Sequence, residues 1–507
     1  MRFDRRILSV IPLLCALAWT LWFVFAGFGN HQDPLYWLYK YEHLEGGWLA
    51  AGTLLTGGAI VKLFGAQLLP LRLAGWLCVV MAIALPYCFL LDREQRRSNL
   101  HWLALTFCLM GYGAFQEFSP GTLSILLLSL LWVTQSPFVL GLAVAVRFPN
   151  ILALLVLVPL WRKRSLWNIP IAAVTAGIVY LLGYWLITPA VMDTAMTSHD
   201  IFAMLTKLWE NGGKLIGFMI LAVGVLAIGE KIKNYQSFIT HHPLPIFSLF
   251  VSLALVYFTL YAFNPFQWYN TDLTYCISAL VLVIAGYSYI LNRTPNILIG
   301  AAILVVATLG TDTAWLKLFP AVLCLLPVAA VQYEPFLKRY LFIVLLGLTA
   351  VAMMRMSTNS VGQSNLTKAT TVASVAPYQG IAIRGAEQNR LQQYKQDYQL
   401  LNDSIHCSIL AVGQENHLMR AVTGCEAARF NEFWSNIFDS VYTARYREII
   451  QTERPIVFCS FSPQFKTKPV YQDKQSRMEN MLLEQGYTAI DRSQHKYMIY
   501  IPQENRE

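Results

Sequence analysis

Asp33 is the acidic residue of the stretch Gly29-Asn30-His31-Gln32-Asp33-Pro34-Leu35-Tyr36-Trp37, which follows directly on the first long apolar run. A carboxylate at such a mouth can take a proton from a hydroxyl. Arg147 interrupts another apolar run, in Val146-Arg147-Phe148-Pro149-Asn150. Charge inside hydrocarbon is costly and persists there for a purpose, and the planar guanidinium fork matches phosphate oxygens. An acid at a membrane face and an embedded cation together point to chemistry on a phosphate-bearing lipid. The alternative duty of Arg147 is to snorkel to an interface or to pair with a backbone carbonyl. Arg72 is a second phosphate candidate, or else the anchor of its helix's outer end. Glu117, in Glu117-Phe118-Ser119-Pro120, is a second acid or a turn residue. His31 and Lys40 read as solvated.

Those residues need a scaffold, and composition names its class. Of 507 residues, 56% are hydrophobic and only 13% charged, and apolar runs of membrane length recur from Ile7 to Met354. That pattern is a polytopic α-helical membrane protein. The run Ile7 to Phe25 follows Arg2, Arg5 and Arg6 and imitates a signal peptide. Its length and the lack of a small-x-small cleavage site favour a retained anchor. The net charge of +9 is no nucleic-acid signal, because the basic excess sits in short loops between spans, where it sets orientation.

Read by those loops, the N-terminus is cytoplasmic and the Asp33 loop faces outward. Leu68–Leu91 returns to the charged Asp92-Arg93-Glu94-Gln95-Arg96-Arg97, Leu100–Tyr112 goes out, and Leu123–Val133 comes back. Phe138–Leu160 must begin and end inside, since it closes on Arg162-Lys163-Arg164. It therefore reads as two half helices broken at Arg147-Phe148-Pro149-Asn150, where Pro149 removes a donor. Ile169–Ile187 crosses outward to a long outer loop, Thr188–Lys214. The remaining spans run through Leu215–Ile228, Phe247–Phe263, Tyr275–Leu291, a closely spaced pair around Thr311-Asp312, and Phe342–Met354, about thirteen in all.

After Arg355 the character changes. Met356–Ala376, rich in Ser, Thr, Asn and Val, reads as a linker. Of the 29 acidic residues 15 fall after Arg355, which marks 377–507 as a soluble, extracytoplasmic α/β domain. Its expected elements are a strand over Cys407–Val412, a largely helical Asn431–Glu453, and a strand over Pro455–Ser460. A helix over Asp473–Gln485 ended by Gly486 and a strand over Tyr497–Ile501 complete it. Six of the nine cysteines sit in spans as small apolar fillers. Among Cys407, Cys425 and Cys459 an oxidising compartment permits one disulfide, paired here as Cys407 with Cys425 because Cys459 sits mid-strand. No zinc spacing, phosphate-binding glycine loop, nucleophile elbow or internal repeat is present.

The membrane part, most clearly residues 7–165, resembles the GT-C glycosyltransferases, polytopic enzymes that take a sugar from a polyprenyl-phosphate or pyrophosphate carrier. The resemblance rests on the acidic loop Asn30-His31-Gln32-Asp33-Pro34-Leu35-Tyr36 after the first span, and on Leu63-Phe64-Gly65 followed by Arg72. It rests also on Gly141-Leu142-Ala143-Val144-Ala145-Val146-Arg147-Phe148-Pro149. The first loop lacks the Asp-Glu pair of some members, and Glu117 is the one counterpart found for a second family acid. The C-terminal domain matches nothing nameable.

The resemblance implies that Asp33 is the base, with Glu117 as second acid. Asp33 would deprotonate an acceptor hydroxyl that displaces the lipid phosphate with inversion. The residues themselves offer Arg147, Arg72, Lys207 and Lys214 as donor-phosphate contacts. The two lysines lie beside Trp209 and can equally be interfacial anchors. Tyr36, Trp268 and Tyr269 would contact sugar or acceptor, or serve in an aromatic belt. The partners implied are a polyprenyl-phosphate sugar, a glycan, lipid or protein acceptor, and the bilayer of the inner membrane, with no nucleic acid. No cofactor is required by the residues, and a divalent cation is left open. Two other classes compete. A transporter or flippase of a lipid-linked or anionic solute also uses broken helices and midplane charges, and an oligosaccharide transferase or ligase shares the lipid donor.

Overall fold

Helices dominate the first part of the chain because their residues are apolar around most of the helix, so only lipid or other helices can cover them. The computed structural model describes residues 5–27, 32–92, 117–189, 295–308, 318–329, 368–402, 408–413, 415–423, 440–460, 469–492 and 497–503, with short pieces between 212 and 286. Helix α1 (Arg5–Phe25) is followed by the short α2 (Gln32–His43), then α3 (Ala51–Phe64) and α4 (Leu68–Leu90). Gly65, at φ +81°, ends α3 in a backbone conformation that a side chain would strain. Helix α5 (Pro120–Thr134) packs along α4, and α6 (Pro137–Val146) packs on α8 (Ser165–Leu186).

Between α6 and α7 (Leu154–Trp161) the chain passes through Arg147 and a 3-10 turn, Phe148–Ala153, as the sequence predicts. The break frees carbonyls inside an apolar bundle, and each found partner is a side chain or amide. Asn150, fully buried, donates to Ala143 (2.8 Å) and to Ser124 (2.8 Å). Tyr180 donates to Val144 (2.9 Å) and Thr53 to Val146 (3.1 Å). Irregular backbone survives at such depth only when it is satisfied this way. Helices α9 (Pro295–Val305) and α10 (Leu318–Ala329) close this side of the bundle against α4 and α5.

Among the described residues two helical stretches are long and apolar enough to cross a bilayer, Leu68–Leu90 and the run Phe148–Leu186. Phe89, Leu155, Leu166, Trp167, Val174 and Trp185 are each more than half exposed. Side chains so large and so contiguous suit a lipid-facing surface. The expected spans at Leu100–Tyr112, Phe247–Phe263 and Phe342–Met354 lie outside the described residues.

The C-terminal part builds a hairpin, β1 (Thr371–Val372) and β2 (Ala382–Ile383), and helix α11 (Gly385–Asn402). It continues through β3 (Ile409–Gly413), α12 (Asn416–Thr423), α13 (Ser440–Thr452), β4 (Ile456–Ser460), α14 (Pro469–Glu484), β5 (Tyr487–Arg492) and β6 (Tyr497–Pro502). The four-stranded sheet runs β3-β4-β6-β5, with β3 parallel to β4 and the other pairs antiparallel. The expected α/β character is present. Sequence reading missed the hairpin, α11, α12 and β5. The linker needs correcting at its end: Thr371 and Val372 form a strand, and Ala373 and Val375 are buried. Thr371 and Val372 pair through their backbones with Ile383 and Ala382, while the Val372 side chain stays exposed. One continuous apolar cluster joins Leu35, Leu38 and Leu71 of the helical part to Tyr378, Ile383, Leu418 and Phe458 of the C-terminal part. The C-terminal domain therefore packs on the same end of the bundle that carries Asp33.

Candidate functional site

Asp33 lies in the first turn of α2 and is exposed. The partial positive charge of a helix N-terminus favours a carboxylate there. What fixes α2 is Tyr41, one per cent exposed, whose ring fills the groove over Gly57. A Cβ at Gly57 would lie 2.3 Å from a Tyr41 ring carbon, so only glycine admits this approach. The Tyr41 hydroxyl donates to the Phe118 carbonyl at 3.2 Å, which ties α2 to the turn that carries Glu117.

That turn is held from two further sides. The Phe118 amide donates to Leu71 of α4 (3.2 Å), and the Thr122 hydroxyl donates to the Glu117 carbonyl (3.2 Å). Ser119 caps α5 in a reciprocal pair with Thr122, which settles where the helix starts and where the turn stops. Arg72 follows Leu71 in the first turns of α4 and is 4% exposed. Its guanidinium donates to the Gly27 carbonyl at 2.9 Å, just past the end of α1.

Asp33, Arg72 and Glu117 come from three separate stretches of chain and lie near enough for the first two charges to act on the third. Burial pushes the Glu117 carboxyl up to about 7; Arg72 pulls it down and Asp33 pushes it up further. A base near its working pH is what efficient proton transfer needs. The cluster can hold a proton on one carboxyl, accept one on the other, and present a fixed cation beside them.

Tyr378 completes this cluster and was missed by sequence reading. It is fully buried, and its phenol is held above its ordinary range by burial, with Arg72 opposing and Glu117 adding to the rise. The only signal was a turn in Pro377-Tyr378-Gln379-Gly380, which says nothing about where the turn docks. The neighbouring α12 also lies against α2. His417 sits edge-on to Tyr36 at 5.7 Å, and the Arg420 guanidinium lies 4.7 Å from the Tyr39 ring centroid.

Other candidates fall differently. Lys40 is not solvated: it is 5% exposed, with its ammonium 4.4 Å from the Tyr36 ring centroid and 5.4 Å from that of Trp37. Its methylenes and charge are both used against aromatic faces, which a helix of Tyr and Trp at this spacing provides. Tyr36 is 3% exposed between Lys40 and His417, so contact with a sugar would require these packed rings to part. His31, Lys207, Lys214, Trp268, Tyr269, Cys407 and Cys425 lie outside the described residues. Cys459 is a buried free thiol on β4. Among the described residues no three His, Cys, Asp or Glu side chains gather as a metal would need.

Arg147 donates to the Ala307 carbonyl across the broken helix, and the charges acting on Glu117 are Arg72 and Asp33. Losing one such donor leaves a buried carbonyl unsatisfied, about 1–3 kcal/mol. Arg147→Ala is accordingly expected to lower the melting temperature, and donor affinity of the surviving protein tells scaffold from phosphate contact. A donor affinity equal to wild type removes Arg147 from the phosphate site.

No family model matches the chain, and no curated protein matches it. Two solved structures of ArnT from Cupriavidus metallidurans are similar to it. The apo state shows 12% identity and a TM-score of 0.40, covering 97% of each chain. The form bound to undecaprenyl phosphate shows 10% identity and a TM-score of 0.41, with the same coverage. A likeness that loose carries no argument about site or substrate.

Proposed function

We propose that the chain is a membrane glycosyltransferase of GT-C type, moving a sugar from a polyprenyl-phosphate donor to an acceptor hydroxyl on the outer face of the membrane. The convergence of Asp33, Glu117 and Arg72 at the domain-bearing end of the bundle carries this reading. In the reaction the acceptor O–H loses its proton to Asp33 as its oxygen bonds to the anomeric carbon. The bond from that carbon to the phosphate oxygen breaks, its electron pair stays on the phosphate, and configuration inverts. Arg72 is assigned as the fixed cation that stabilises the charge developing on the leaving phosphate. Arg147, Lys207 and Lys214 are proposed as further contacts for the same anion. Glu117, poised near neutral pH, takes up the proton that must leave Asp33 before another turnover.

The test is direct. Purified protein in vesicles, given a radiolabelled polyprenyl-phosphate sugar and candidate acceptors, is expected to move label from lipid to acceptor on one side of the bilayer. A true donor should also stabilise the fold by mass action, about 2.7 kcal/mol at a hundred times its dissociation constant. Label that crosses the bilayer still attached to its lipid would make the protein a flippase and end this reading.

A further inference from the structure

Two backbone contacts from one small piece of the C-terminal part flank Arg72. The Leu68 amide at the start of α4 donates to the Pro377 carbonyl at 2.9 Å, satisfying a helix end that Gln67 leaves without a side-chain cap. The Gly27 amide donates to the Ala382 carbonyl at 2.8 Å, while the Gly27 carbonyl accepts from Arg72 at 2.9 Å. Between those two anchors lies Tyr378, fully buried, in the turn of the same hairpin. The hairpin therefore sets both the backbone that carries Arg72 and the carbonyl that receives its guanidinium.

We propose that the hairpin Thr371–Ile383 is part of the site, and that Tyr378 is a positioning residue that roofs Arg72 and Glu117 and keeps water from them. On this view the C-terminal domain is not a detachable appendage. The proposal rests on the reading of that pair as the reaction centre, but its geometry stands without it. The groups around Glu117 are Arg72 of α4, Asp33 of α2 and Tyr378; Arg390 and Glu387 face Tyr378 from the beginning of α11. Neither the arginines nor the carboxyl groups replace the Tyr378 ring as a barrier, because ionisable groups draw water.

The consequence is read at Glu117. With the roof present, desolvation is the largest influence on its carboxyl. With the ring removed, water solvates the carboxylate and the midpoint moves back toward an ordinary glutamate. Infrared spectra of the full protein in lipid, recorded across pH, isolate the carboxylic C=O band that Glu117→Gln abolishes. Tyr378→Phe, which keeps the ring, is expected to leave that band's midpoint in place. Tyr378→Ala is expected to lower it by about one to two pH units. Tyr378→Val serves where the alanine variant does not fold, with a smaller drop in the same direction. A purely structural tyrosine would lower yield and melting temperature with the midpoint unmoved, and that result in both small variants overturns the proposal. The measurement uses no substrate. A moved midpoint in a protein that transfers no sugar keeps the roof and ends the transferase reading, and transfer with an unmoved midpoint does the reverse.

Discussion

Asp33→Asn is expected to lower turnover by about 100- to 10,000-fold, the range for loss of a general base, with expression and melting temperature close to wild type. The stability half of this expectation follows from exposure. Asp33 sits at the surface end of α2, so the amide meets no new packing, and the helix-end contribution it gives up is modest, about 0.3–1 kcal/mol. The activity half follows from chemistry, because an amide cannot take the acceptor proton. Glu117→Gln separates the two acids. Its carboxyl is held near 7, so its loss should flatten the neutral-pH limb of the rate profile more than it lowers the maximum. Stability gives an independent sign. A carboxyl whose folded midpoint is raised favours the fold at low pH, and that contribution fades as pH rises from about 4.5 to about 7. Glu117→Gln should remove that slope. Transfer above a tenth of wild type in both variants would leave the assignment without a base.

Much of this frame was legible in the chain because periodicity and breakers are local. Pro149 after Arg147 and the cationic Arg162-Lys163-Arg164 sufficed to place a broken helix, and the break lies where those residues put it. Leu63-Phe64-Gly65 ends α3 for the reason a glycine suggests, a positive φ. What local pattern could not supply was docking. Nothing in Asp33, Arg72 and Glu117 separately says that their charges act on one another, since that depends on Tyr41 packing on Gly57 and on the bonds from the Tyr41 phenol and the Leu71 carbonyl to Phe118. Lys40 was misread for the same cause. A lysine in a short polar helix is normally solvated, until neighbouring rings and a second domain cover it. Tyr378 was invisible because its neighbours in sequence are an unremarkable turn, and its importance is entirely tertiary.

Arg72 gives the largest combined effect. It is buried, so removing it strips a cation from beside Glu117 and leaves the Gly27 carbonyl without that donor. Arg72→Met keeps most of the length and volume. Its expected turnover loss is about 100- to 1,000-fold, the range for one preorganised donor facing developing anionic charge. Arg72→Lys should recover little of this, because a point charge cannot reproduce the fork. Stability should fall as well, by less than the roughly 3–5 kcal/mol of a broken buried pair, since Glu117 can take a proton and shed its charge. The direction of that uptake is fixed: with Arg72 gone, the influence that lowers the Glu117 midpoint is lost, so it rises above 7. The double variant Arg72→Met with Glu117→Gln then separates scaffold from chemistry. Removing both partners should return much of the lost stability, since no charge is left stranded, while turnover stays at the level of the worse single variant. If turnover and donor affinity of Arg72→Met match wild type while only the melting temperature falls, Arg72 is an anchor for Gly27 and nothing more. The phosphate site would then belong to Arg147 and the lysines of the Thr188–Lys214 loop.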